Sequence, residues 1–185
     1  MQQETGDYPA AAASQQRALA LFADLGSLDG QAYALNDLGV VQQQTGDYLA
    51  AAASHQQALA LFRETGNRLG QAEALNGLGE LSSRTSATGQ ACEHHAKALA
   101  IARDLRAPLE EARSLEGTGR ACLQDGDTDE GLDCLRQALT IYRRIGAPGA
   151  QRVKETLRNP SLAENAEHPV LNQHNQRHQG CSSRA

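Results

Sequence analysis

The sequence predicts an all-α fold, an α-solenoid of antiparallel helical hairpins, and three observations carry that prediction. The words TGDYPAAAASQQRALALF and TGDYLAAAASHQQALALF begin at Thr5 and Thr45, forty residues apart. The same step aligns Ala18, Ala58, Ala98 and Ala138, then Leu19, Leu59, Leu99 and Leu139, and also Gly39, Gly79 and Gly119. A repeat of this size marks a stacked array whose units are each too small to close a core alone. Thirdly, Ala is abundant through the first 150 residues, whereas the whole chain holds two Phe, four Tyr and no Trp. Small side chains let helices approach closely, and Ala costs least in a helix interior.

Each unit reads as two helices joined by a hinge. The first helix, over 7 to 25, follows the opening TGDY and stops at the breakers Gly26 and Gly30. A second, over 30 to 44, carries Leu35, Leu38 and Gly39 at helical spacing. At the next TGDY, Gly46 suits the left-handed residue that ends a helix, and Asp47 suits the cap that begins another. The helix over 48 to 65 repeats Ala51, Ala58, Leu59 and Phe62 on one face, and Gly66 and Gly70 separate it from a helix over 70 to 84.

The third hinge, Thr85-Ser86-Ala87-Thr88, has lost both Gly and Asp, which leaves Ser86 as the available cap and makes this the loosest turn expected. Helices over 88 to 105 and 109 to 124 flank Pro108. In the fourth hinge Gly126 keeps the stop, and Asp127 with Glu130 forms a capping-box-like start for the helix over 128 to 145. Gly146, Pro148 and Gly149 precede a short helix over 149 to 158, where Val153 and Leu157 pack inward beneath polar Gln151, Arg152, Lys154 and Glu155. Such a helix caps an array.

Residues 1–158 therefore read as one array, with a partial first unit and units near 30–66, 70–106 and 110–146; the polar stretch 159–185 is expected to be a disordered tail. Met1-Gln2-Gln3-Glu4 aligns with Val41-Gln42-Gln43-Gln44, so the chain starts inside a unit, as a fragment or shortened copy would. The first helix then lacks its hairpin mate, and its apolar stripe is expected to meet another chain, an upstream segment or a second copy.

Composition excludes several function classes. A net charge of −5, from 17 basic and 22 acidic residues spread along 185, offers no basic field for nucleic acid. Neither a signal peptide nor a membrane-length apolar run is present, so the cytoplasm is the expected compartment. Cys92, Cys122, Cys134 and Cys181 form no CxxC pair and read as reduced thiols, with Cys181 exposed in the tail. Of the six His, His55 and His95 share a column and read as replacements for an aromatic ring between helices. One metal ion cannot bridge them across roughly 8 to 10 Å of helix packing when each ligand must lie near about 2 Å. His94 adjoins that column, and His168, His174 and His178 lie in the tail. With no phosphate loop and no nucleophile elbow, neither an enzyme nor a cofactor is expected.

Leu35, Leu38, Gly39, Ala51 and Ala58 in one unit, Leu75, Leu78, Gly79, Ala91 and Ala98 in the next, and Leu115, Gly119, Gly131 and Ala138 in a third resemble the tetratricopeptide repeat. The chain departs from that family where an aromatic of the first helix is Gln42 or Ser82, where the second-helix aromatic is His55 or His95, and in a period longer than about 34 residues. The forty-residue form with ALNxLG is similar to arrays in kinesin light chains, Leu-Gly-Asn-type polarity scaffolds and the C-terminal arms of bacterial transcriptional regulators.

The resemblance implies a right-handed superhelix whose first helices line a groove for a peptide or protein segment. Its groove positions carry over to Tyr33, Asn36, Val40, Gln43 and Gln44, then to Glu73, Asn76, Glu80, Ser83 and Arg84, then to Arg113, Glu116, Arg120, Leu123 and Gln124. Asn36 and Asn76 are equivalent, and a carboxamide that donates and accepts at once suits a peptide backbone. The Lys and Asn clamp of chaperone-binding members is absent. The mixed charges of the other positions suit a ligand with both signs, or a solvated helix face. The resemblance also implies an alternative role, as the sensory arm of a regulator whose other domains lie upstream.

Overall fold

The computed structural model describes residues 7–159 as eight helices joined by tight turns. They are α1 (Tyr8–Asp24), α2 (Leu28–Thr45), α3 (Tyr48–Glu64), α4 (Arg68–Arg84), α5 (Thr88–Asp104), α6 (Pro108–Asp125), α7 (Thr128–Ile145) and α8 (Gly149–Arg158). No strand occurs among the described residues, and each helix packs on the next. In addition α2 lies against α4 and α4 against α6, so the first helices of successive hairpins form one continuous layer. This is the all-α solenoid. The stretch 160–185, with His168, His174, His178 and Cys181, lies outside the described residues, as do Met1 to Glu4.

Small side chains set the spacing of the layers. Ala32, Ala51, Ala58, Ala72, Ala74, Ala91, Ala98, Ala112 and Ala138 are all fully buried. Leu35, Leu59, Phe62, Leu75 and Leu78 fill one core around them, and Leu115, Leu123, Leu135, Tyr142 and Val153 fill a second.

Turn chemistry follows the hinge word where the word survives. Gly46 is left-handed at φ 82°, and Asp47 accepts the amide of Ala50 at 3.1 Å. Gly126 repeats the stop at φ 90°, but Asp127 makes no side-chain cap, which corrects the capping-box expectation. At the third hinge Ser86 itself takes the left-handed place at φ 60°; the N-cap falls on Ala87, whose methyl accepts nothing.

Two glycines read as breakers are helical. Gly30 and Gly70 sit in the first turns of α2 and α4, because Ser27 and Asn67 cap those helices by accepting their amides at 3.2 and 2.9 Å. α2 and α4 consequently start two residues before the positions expected.

Candidate functional site

Between the first helices and their partners lies a ladder of buried polar side chains. His55, from α3, passes its ring between α2 and α4 at two glycines: a Cβ on Gly39 would fall 2.8 Å from it and one on Gly77 2.6 Å. His95, from α5, fills the same gap between Gly79 and Gly117. Only glycine on both sides leaves room for an imidazole, which is why the column reads His where Gly repeats.

The two rings differ in their bonding. His55 Nδ1 faces Asn36 Oδ1 at 2.8 Å, and its Nε2 faces Gln43 Nε2 at 2.9 Å; that carboxamide also donates to the carbonyl of Gly77 at 2.9 Å. His95 Nδ1 faces Asn76 Oδ1 at 3.1 Å. Asn76 is oriented by its Nδ2, which donates to Glu110 Oε2 at 2.8 Å, so its oxygen is the atom turned to His95 and to the Ser114 hydroxyl at 2.9 Å. The proton of His95 therefore sits on Nδ1. Its Nε2 carries a bare lone pair, is buried and has no hydrogen-bond partner among the described residues.

Burial first, then the charge of Arg113, pushes the His55 imidazole down to about 4; burial, His94 and Arg113 do the same for His95. Both rings are neutral at neutral pH.

Against His95 opens a recess of about 230 Å³. α2 supplies Gln43 and Gln44, α4 supplies Glu80, Ser83 and Arg84, α6 supplies Arg113, Glu116, Gly117 and Arg120, and α8 supplies Arg152. Arg113 is paired with Glu80 at 3.4 Å and Glu110 at 3.3 Å. Arg152 forks onto Glu116 at 2.6 and 2.7 Å, and Tyr142 donates to the same carboxylate at 2.9 Å. Arg84 lies over the Tyr48 ring at 5.5 Å and donates to its hydroxyl at 3.3 Å, while its Nε finds no partner among the described residues. Neither Arg84 nor Arg120 joins an ion pair among the described residues.

The groove positions thus divide. Gln43, Glu80, Ser83, Arg113, Glu116 and Arg120, with Gln44 and Arg84, meet at the recess. Tyr33 and Val40 are exposed on α2, and Tyr33 stacks edge-on against Phe62 at 4.8 Å. Glu73 is half-buried, with its carboxyl raised by burial first and then by Glu110.

Asn36 and Asn76 require a correction. Asn76 is 0% exposed and Asn36 8%, and both spend their amide oxygens on the histidines instead of a bound backbone. Leu123 belongs to the core, and Gln124 lies outside the recess lining. The layer between helices, invisible to a reading of one helix face, claims them. Conversely His95, Gly117 and Arg152 join the site unforeseen. The available signal was Ser83 standing where Gln43 stands one unit earlier, beneath a constant His.

Elsewhere, α1 has no fully buried residue, and Leu25, its C-cap, is 77% exposed. No described helix is long and apolar enough to cross a membrane. Among the described residues no three His, Cys, Asp or Glu side chains converge as metal ligands would.

A family model described as tetratricopeptide repeat matches residues 1–64, 30–104 and 70–144. Among solved structures the fold is similar to the crystal structure of BtubC (BKLC) from P. vanneervenii, with a TM-score of 0.65 and 23% sequence identity. That likeness covers 75% of this chain and 58% of the other, so the chain spans less than two thirds of that relative's length. A search of curated protein sequences finds no match.

Proposed function

Since the chain belongs to the tetratricopeptide-repeat family, whose repeats are generally protein–protein interaction modules, we propose that it is a non-catalytic module that holds an extended, acidic protein segment along its inner layer. Residues 7–158 act as one array in this reading. Tyr33, Val40 and Glu73 border the path of the segment, and the recess residues Gln43, Glu80, Ser83, Arg113, Glu116 and Arg120 grip it.

One observation carries the choice of an acidic partner. The recess gathers Arg84, Arg113, Arg120 and Arg152 against two carboxylates, Glu80 and Glu116, within a chain whose net charge is −5. Arg113 and Arg152 are matched by acids of the chain itself, which leaves Arg84 and Arg120 to meet an incoming carboxylate. Burial strengthens such a pair, because screening by water and salt is reduced inside a recess.

The test is selection of phage-displayed random heptapeptides on the purified chain. Asp and Glu should be enriched, and the enrichment should vanish on a chain carrying Arg84→Ala and Arg120→Ala. A wild-type selection without acidic enrichment would refute the reading.

A further inference from the structure

The two histidine sites are the same device written twice, and among the described residues only the first is completed. Forty residues separate His55 from His95, Gly77 from Gly117 and Gln43 from Ser83. In the first copy the Gln43 carboxamide donates one N–H to His55 Nε2 and reaches the carbonyl of Gly77, each at 2.9 Å. In the second, Ser83 lines the recess but lacks the length of a glutamine, and His95 Nε2, on a residue 1% exposed, has no partner among the described residues.

Building on the interaction module proposed above, we propose that this recess receives a Gln or Asn side chain of the bound segment. Its carboxamide takes the place that Gln43 takes one unit earlier, with one N–H on His95 Nε2 and the other on the carbonyl of Gly117.

Elimination of other donors supports that class. The bare lone pair needs a donor, so a carboxylate has nothing to offer it. A hydroxyl or a backbone amide carries one hydrogen and serves one acceptor. A Lys or Arg carries enough hydrogens, but it would enter beside Arg84, Arg113, Arg120 and Arg152 and bury like charge against them. A carboxamide is neutral and has two N–H groups. Leaving a buried acceptor unmade is also costly, so its satisfaction discriminates between side chains rather than adding uniform affinity. The low pKa of His95 agrees, since a neutral ring keeps the lone pair across the physiological range. The third copy removes the device altogether: Leu123 and Leu135 replace the serine and histidine and pack in the core.

The heptapeptide selection tests this separately from the acidic reading. On the wild-type chain, Gln or Asn should be enriched at one position next to the acidic ones. On a chain carrying Ser83→Gln, which supplies the carboxamide internally, that enrichment should disappear. Independently of any protein variant, replacing the selected glutamine of the peptide by glutamate should weaken binding at least tenfold in fluorescence anisotropy, because a donor becomes an acceptor. Acidic peptides with no carboxamide preference, or equal affinity for the glutamine and glutamate peptides, would overturn the carboxamide and leave the acidic segment standing. Absence of both preferences would overturn both.

Discussion

The ring of Phe62 occupies the space that a side chain at position 70 would need: three of its carbons come within 3.0 Å of a Cβ built on Gly70. Phe22 stands over Gly30 in the same way, one unit earlier. One unit later the pair is exchanged for Ala102 and Glu110, and with the ring gone a carboxylate is buried there, where it takes the Asn76 amide. Gly70→Ala should therefore destabilise the array by about 1 to 3 kcal/mol, the usual cost of overpacking. Urea unfolding reads the loss. In a Phe62→Ala background the same substitution should cost far less, and equal costs in both backgrounds would refute the clash. Gly89 in α5 is the control, because a Cβ there meets nothing within 4 Å.

The last helix is held by charge as well as by Val153. Glu116 is buried and receives both prongs of Arg152 from α8, together with the Tyr142 hydroxyl. Arg152→Ala strands that carboxylate beside one remaining donor, at a cost of about 1 to 3 kcal/mol. The loss should be local: hydrogen exchange should accelerate through Gly149–Arg158 and stay unchanged in α2 to α4. Arg152→Lys keeps the charge but loses the fork, so its effect should lie between the two. Uniform acceleration along the whole chain would contradict this account.

Helices, hinges and the buried alanine columns were legible in the letters because each depends on local spacing or on one residue's backbone preference. Gly46 and Asp47 declare a stop and a start without reference to anything distant. Asn36 and Asn76 were misread because their fate depends on a ring arriving from the next helix, nineteen residues on in each case. Gly30 and Gly70 were misread for the same reason, since a glycine that makes room for Phe22 or Phe62 looks like a breaker until the neighbouring helix is present. The recess depends on five helices at once, and Arg152 enters it only because α8 packs on α7 and reaches Glu116 of α6.

The eroded third hinge offers a gain instead of a loss. Ala87 holds the N-cap of α5 at φ −94°, ψ 62°, close to the φ −81°, ψ 71° at which Asp47 caps α3. Ala87→Asp should let the carboxylate accept the amide of Gln90, as Asp47 accepts that of Ala50, and favour the positive end of the helix dipole. Restoring a cap is worth about 0.5 to 2 kcal/mol, read as a rise in thermal midpoint. An unchanged midpoint would show that the third turn is already satisfied by other means.

Acid should loosen the array through its histidines. His55 and His95 each titrate at about 4 in the folded chain against 6.5 when exposed, burial being the main cause. Between those values the unfolded chain binds the extra protons, so their contribution is complete above 6.5 and is lost as pH falls toward 4. Each ring contributes a slope of about 1.4 kcal/mol per pH unit within that window. Asp37 and Glu73, whose carboxyls burial raises, act in the opposite sense and return part of the loss on acidification. The urea midpoint should therefore fall from pH 7 to pH 5. In a chain carrying His55→Leu with Gln43→Leu, which copies Leu135 and Leu123 of the third unit, the fall should be shallower, with His95 and His94, also lowered by burial, left to carry it. An equally steep fall would assign the acid sensitivity to other groups, since one of the two neutral rings would then be gone without consequence.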